Sequence, residues 1–272
     1  MPRAFVLIRE APWYRKQAFA QGLKKAGYEV LLRGPDRARV GDVVLIWNRY
    51  NATHDMAARF ERDGGTVLVA ENGYLNGDGG SPKFAVHPRG PKPADYYAIG
   101  VGFHNDESRV IAGGPERWAA LGVVLKPWRT DGEHVLVCPN RGFGVPERVM
   151  HPDWADLVAQ QIRKVTKRPV RIRRHPGNDA PKRSLAEDLR GAWCTVIWSS
   201  SSGVHALVEG IPVICCAPYW IAKAATTADV TAVDAPPLLD REAAFRRLAC
   251  GQWQLQEIES GEPFAHLLPA AG

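Results

Sequence analysis

Apolar residues recur along this chain in short unbroken runs separated by amphipathic stretches, a pattern that predicts alternating strands and helices. Runs Ala4–Ile8, Glu29–Leu32, Asp42–Trp47 and Thr66–Ala70 read as strands, and Trp13–Ala26 and His54–Arg62 between them read as helices. Strands that are apolar throughout belong to a parallel sheet covered on both faces. Gly27 and the Gly64-Gly65 pair stand where helix C-caps belong. From Glu71 to Gly114 the chain turns glycine- and proline-rich, so loops are expected around one strand, Tyr96–Val101.

A second alternation follows: strand His134–Cys138, helix Pro152–Thr166, strand Val170–Arg174, helix Leu185–Leu189, strand Cys194–Trp198, helix Val204–Glu209 and strand Val213–Cys216. Leu125–Gly132 reads as the linker. LIWNRYN followed by a helix and TVLVA echoes VIWSSSS followed by a helix and PVICC, which predicts two similar doubly wound domains. Beyond Ala225 come a strand-like patch, Val230–Val233, and helices Arg241–Cys250 and Leu255–Ser260. The expected organisation is one Rossmann-like domain over 1–125, a second over 126–245, and a tail over 246–272 that packs back on the first. Two facing domains of this α/β class bind ligands in the cleft between them, outside the carboxyl ends of their strands.

Length and composition narrow the field only modestly. At 272 residues the chain holds two domains of roughly 120–130 residues. The net charge of +6 is a mild excess, compatible with anionic ligands but no proof of nucleic-acid binding. Ala4–Ile8 is too short for a signal-peptide core or membrane span and is followed by charges, which predicts a cytoplasmic protein without a membrane span. The five cysteines show no zinc spacing and read as buried thiols. No metal or cofactor is called for.

The candidate chemistry sits at strand ends. Ser199, Ser200, Ser201 and Ser202 with Gly203 lie in a strand-to-helix turn suited to a phosphate; the alternative is a capped joint. Arg141 and Gly142 lie in the loop after His134–Cys138, where arginine and close backbone suit a diphosphate, or where the strand simply exits. Pro176 fixes His175 at the end of Val170–Arg174, as a phosphate donor or a turn histidine. Glu71, at the end of Thr66–Ala70, is placed to act as a general base, or to serve the Asn72-Gly73 turn. His104 is a second candidate for the base or for an acceptor contact, or a solvated loop residue. Trp13, Tyr14 and Arg15 can stack on a base or sugar, or pack in the core. Asn72 and Tyr74, beside Glu71, are further candidate acceptor contacts. Seven basic residues between Arg163 and Arg174 make either a phosphate-backbone contact or a solvated face.

Glu71-Asn72-Gly73, His175-Pro176 and Ser199–Ser202 resemble, in order and placement, three motifs of bacterial GT-B glycosyltransferases: those of sialyltransferases and capsule-polysaccharide transferases. GVHALVEGIPVI is similar to a segment widespread in GT-B enzymes. The likeness covers about half the chain in short patches. It implies a metal-independent hexosyltransferase that needs no cofactor beyond its nucleotide-sugar, expected to be a UDP-sugar such as UDP-glucose. It also implies that His175 and the serines hold the donor phosphate, with His205 near the ribose or diphosphate, and that Glu71 is the base. Asn72 departs from the family, which carries a second acid there. The patches GY-L, YYAIG and His-Asn, with QW-L and EI-SGE, look like bacteriophage glycosyltransferases that modify DNA, and they imply 5-hydroxymethylcytosine or another hydroxymethylated pyrimidine as acceptor, in the host cytoplasm. The alternatives are a capsule or lipopolysaccharide sugar acceptor, a nucleotide-sugar epimerase or hydrolase, and a noncatalytic DNA-binding protein.

Overall fold

The computed structural model describes residues 1–11, 14–35, 37–75, 96–175 and 183–269. Among them, 1–114 with 249–269 form one compact unit and 115–248 a second. The first unit contains β1 (Arg3–Val6), α1 (Lys16–Lys25), β2 (Glu29–Leu31), β3 (Val43–Trp47), α2 (Asn51–Arg62), β4 (Thr66–Asn72) and β5 (Tyr96–Val101). The second contains α3 (Glu116–Leu121), β6 (His134–Cys138), α4 (Trp154–Val165), β7 (Val170–Ile172), α5 (Leu185–Leu189), β8 (Ala192–Ile197), α6 (Ser202–Val208) and β9 (Val213–Cys215). Helix α7 (Arg241–Cys250) leads the chain back to the first unit, which β10 (Gln252–Gln254), α8 (Leu255–Ser260) and α9 (Glu262–Leu267) complete.

The internal echo in the sequence is structural. The first sheet runs β10-β5-β4-β3-β1-β2 and the second β7-β6-β8-β9. Strands β2-β1-β3-β4 and β7-β6-β8-β9 thus share one order, and all their pairings are parallel. Trp47 and Trp198 end or directly follow the equivalent strands β3 and β8. Alternate strand residues enter opposite layers. Ala4, Val6, Leu45 and Leu68 meet Phe19 and Leu23 of α1, Ile258 of α8 and Phe264 of α9, whereas Phe5, Ile46, Val67 and Val69 meet Ala57 and Phe60 of α2. Each fully buried side chain of this size contributes about 1.5–3 kcal/mol, which is why the strands read as unbroken apolar runs. In the second unit Val135, Val137, Val196 and Ile214 pack against Val158 and Ile162 of α4.

Several expectations from sequence need correction. Strands β5 and β10 are antiparallel, and they extend a sheet that reads as parallel from sequence alone. Asn72-Gly73 forms no hairpin turn: Asn72 pairs with Tyr97 in the ladder and Gly73 donates to the Tyr96 carbonyl at 2.8 Å. Only glycine fits there, since a Cβ would lie 2.6 Å from that carbonyl oxygen. Val230–Asp234 is a 3-10 turn rather than a strand, nucleated by Asp229 accepting from the Thr231 amide at 2.9 Å.

Leu125–Gly132 is no free linker, because side chains and backbone stitch it into the second unit. Lys126 N–H donates to Val208 (2.9 Å), Arg129 N–H donates to Gly210 (2.7 Å), and the Arg129 guanidinium caps the Leu189 and Ala192 carbonyls, both at 2.9 Å. Arg241 donates to the carbonyls of Leu207 and Lys126 and lies 4.0 Å over the Trp128 ring. With Trp118 of α3 also packed on Phe245 of α7, the units divide at 114/115 rather than 125/126. The cysteines are reduced; four are buried and Cys216 is half-buried. Burial pushes the Cys138 and Cys216 thiols up to about 11 and that of Cys194 to about 12. Among the described residues no helix is long and apolar enough to cross a membrane.

Candidate functional site

Strand order singles out one candidate edge of the second unit. The chain leaves β6 toward β7 on one side and reaches β8 on the other, so the switch point falls between the carboxyl ends of β6 and β8, where open α/β sheets bind ligands. Two loops meet there. Asn140, after β6, donates from Nδ2 to Ser199 Oγ (3.0 Å) and accepts the Ser199 N–H on Oδ1 (3.1 Å).

The four serines divide by role. Ser199 is 5% exposed and its hydroxyl also bonds Tyr219. Ser202 is 8% exposed; its amide and hydroxyl donate to Ser200 Oγ at 3.3 and 2.8 Å, and its side chain also bonds the Cys138 thiol. With its acceptor side filled from within, the half-buried Ser200 hydroxyl has its own proton left to donate. Ser201 is exposed. The outward-facing pair is therefore Ser200 and Ser201. Gly203 is explained by packing: a Cβ would lie 2.7 Å from Ile197 Cδ1 and 2.9 Å from the Trp220 ring. His205 is buried within α6.

Beside this turn stands a cationic group. Gly142 is left-handed (φ 75°) with open space around it, and Arg141 lies 5.1 Å over the ring of Phe143, which is 63% exposed. His175 is exposed as a residue, but its ring is partly shielded by neighbouring atoms, which lowers its pKa from the usual histidine value. The charges of Arg141 and Arg173 lower it further. The structure thus gathers Arg141, Arg173 and His175 at the ends of the paired strands β6 and β7. Pro176 lies outside the described residues.

The neighbouring basic stretch is less available than its charge count suggests. Arg173 is paired with Asp188 (2.7 Å), Arg174 with Asp156 (2.8 Å) and Arg168 with Asp234 (3.0 Å). Arg163, Lys164, Lys167 and Arg168 line a cavity of about 630 Å³ with Glu133 and Asp234, at the opposite, amino-terminal end of the strands.

In the first unit the corresponding switch point lies between β1 and β3. Three non-glycine residues near the two exits are left-handed, Arg15 (φ 50°), Asn48 (φ 62°) and Asn51 (φ 48°), a conformation that costs about 1–3 kcal/mol each and clusters at functional sites. Arg15 caps α1, which starts at Lys16. Tyr14 packs edge-on against Trp47, with ring centroids 4.8 Å apart, so its ring joins the core; Trp13 lies outside the described residues. Arg49 is engaged by Glu61 (2.7 and 2.8 Å), the Gly102 carbonyl (3.1 Å) and the Phe103 ring, and it braces the loop.

Glu71 belongs to β4 on the face shared with Val67 and Val69, while Asn72 faces the other way. Glu71 Oε1 accepts the Asn72 N–H at 2.8 Å. The buried Tyr74 hydroxyl donates to the His104 carbonyl. Its pKa is raised well above the usual tyrosine value by burial, and then by the charges of Glu71 and Asp106. Glu71, Tyr74, His104 and Asp106 therefore form one neighbourhood, whose loop is pinned by Gln252 Oε1 accepting from the amides of Tyr74 and Leu75 at 2.9 and 3.1 Å. Sequence reasoning missed Asn140, Arg148 and Tyr219. Asn140 had a signal, its position two residues past a predicted strand, but nothing local reveals its partner 59 residues on.

No protein-family model matches the sequence, and comparison with curated proteins finds no relative. Among solved structures the chain is similar to two of Thermosulfurimonas dismutans KpsC. One, described as a beta Kdo 2,7 transferase, matches with a TM-score of 0.51 and 12% identity over 96% of this chain and 99% of that one. The other, a beta Kdo 2,4 transferase, matches with a TM-score of 0.55 and 13% identity over 92% and 90%. Identity this low carries the architecture alone: two doubly wound units of the GT-B type.

Proposed function

We propose that this protein is a glycosyltransferase that moves a sugar from a nucleotide-activated donor, held at the β6–β8 switch point, to a hydroxyl of a carbohydrate acceptor. The observation that carries the reading is the second unit's edge, where two serine hydroxyls, an arginine and a histidine stand at a GT-B switch point. In the reaction Glu71 takes the acceptor hydroxyl proton as its oxygen bonds to the anomeric carbon. The bond from that carbon to the donor phosphate breaks, and the charge left on phosphate is met by Ser200, Ser201, His175 and Arg141. A carbohydrate acceptor is favoured over a hydroxymethylated base in DNA because three of the seven basic residues are neutralised by carboxylates and the cavity lined by others lies at the wrong end of the sheet.

The test is release of nucleotide from UDP-, GDP- and CMP-activated sugars, Kdo included, with Kdo-terminated oligosaccharides or with DNA carrying 5-hydroxymethylcytosine. Release that depends on the oligosaccharide is expected. Release with no acceptor would indicate a hydrolase or epimerase, and release only with DNA would overturn the carbohydrate reading.

Donor affinity should depend on pH through His175. Its pKa in the free protein is depressed, and a bound phosphate anion raises it, so binding takes up a proton between the two values. Affinity for a UDP-sugar, whose diphosphate does not titrate there, is expected to strengthen as pH falls from roughly 8 to 5. Titration calorimetry of wild type and His175→Gln should give a sloped and a flat profile; matching profiles would remove His175 from the site.

A further inference from the structure

We infer that Asn140 and Tyr219 are positioning residues that hold and orient the serine turn of the nucleotide site, a role that rests on the glycosyltransferase reading. Three exit loops meet at this point. Asn140 follows β6, Ser199 follows β8 and Tyr219 follows β9. Asn140 Nδ2 donates to Ser199 Oγ (3.0 Å), the Ser199 hydroxyl bonds the Tyr219 oxygen, and the Tyr219 hydroxyl donates to the Arg148 carbonyl. That carbonyl also accepts the Trp198 indole N–H at 3.0 Å, and the Arg148 guanidinium lies 4.0 Å over the Tyr219 ring. The chain has one direction. Asn140 Nδ2 can only donate and the Arg148 carbonyl can only accept, so both intervening hydroxyl protons are oriented. The Ser199 amide is meanwhile held by Asn140 Oδ1 at 3.1 Å. Ser199 therefore has no N–H or O–H donor left for an anionic ligand and serves instead as the fixed root from which Ser200 and Ser201 project. Charge stabilisation on a leaving phosphate needs donors fixed in advance, and a two-way amide clamp provides that fixity.

The experiment uses full-length Asn140→Ala, Tyr219→Phe and the double variant, with two readouts: amide hydrogen exchange over residues 199–202 without ligand, and affinity for UDP, GDP and CMP by calorimetry. Asn140→Ala is expected to speed exchange at 199–202 by about tenfold or more while leaving β6 and β8 protected, and to weaken binding of the preferred nucleotide by about tenfold. Tyr219→Phe should weaken it severalfold, and the two effects should fall short of additive because both act through Ser199. Tyr219→Phe and its exchange pattern stand as the test should Asn140→Ala fail to fold. Unchanged exchange at 199–202 overturns the inference, as does faster exchange with unchanged affinity. Failure of the wild type to bind any of the three nucleotides overturns the glycosyltransferase reading and the positioning role with it, and the exchange data then still show whether Asn140 clamps the turn.

Discussion

Glu71→Gln is expected to lower turnover by about two to four orders of magnitude while leaving nucleotide affinity unchanged, the signature of a lost general base. Glutamine keeps the size of the side chain and an oxygen for the Asn72 N–H, so the strand should be undisturbed. Two neighbours could compete for the role. Asp106 is 5% exposed and already engaged: its Oδ1 accepts from the Ser108 amide and hydroxyl at 3.2 and 2.6 Å, and Arg109 lies 3.6 Å from its other oxygen. His104 contributes its carbonyl to Tyr74, and its ring is the stronger rival. Asn72 is no competitor, because adjacent residues on a strand point to opposite faces and an acid at 72 would not share a site with Glu71. Steady-state kinetics of Glu71→Gln and His104→Gln with the donor and acceptor pair that gives release decides the matter. A Glu71→Gln enzyme of near-normal turnover, beside a His104→Gln enzyme that is inactive, would move the base to His104.

How much of this was legible in the sequence depends on the range of the interaction. Periodicity reports burial, and burial is local, so the parallel strands of both units, helices α5, α7 and α8, and the duplication around Trp47 and Trp198 can all be read from the sequence. The strand ends likewise place Glu71, Arg141, His175 and the serines. What periodicity cannot report is the partner. Tyr96–Val101 reads as a strand, but nothing in it says that it runs against β4 or that Gln252 reaches Leu75 across 177 residues. Leu125–Gly132 has a linker's composition and is held by Arg241, more than a hundred residues away. The serine run reads as four equivalent donors, and only its partners, Asn140 and Tyr219 on Ser199 and Cys138 with Ser200 on Ser202, separate the two serines that build the turn from Ser200, which is half-buried, and Ser201, which is exposed.

Gly22→Ala is expected to destabilise the protein by about 2 kcal/mol, against the direction that helix propensity alone would give. In an isolated helix the substitution gains about 1 kcal/mol. Here Gly22 lies where α1 packs on α8 and α9, and a Cβ would stand 1.9 Å from the Ile258 carbonyl oxygen and 2.7 Å from Phe264 Cε2. The nearest obstacle is backbone, which cannot rotate away, so α8 must shift, and overpacking of this kind costs about 1–3 kcal/mol or more. The packing is mutual, since a Cβ on Gly261, left-handed at φ 92°, would lie 2.8 Å from the Gly22 carbonyl oxygen. A shift of α8 is transmitted to β10, where Trp253 is 2% exposed and Gln252 holds the amides of Tyr74 and Leu75. The variant should therefore lose both stability in urea and exchange protection in β10, and then activity, because the loop next to Glu71 is fastened there. Gly34→Ala, with no atom within 4 Å of the added Cβ and no left-handed backbone, is the matched control and should be near neutral. If Gly22→Ala proves as stable as Gly34→Ala, the carboxy-terminal helices do not dock on α1 in this way, and the support they give to the strand carrying Glu71 falls with them.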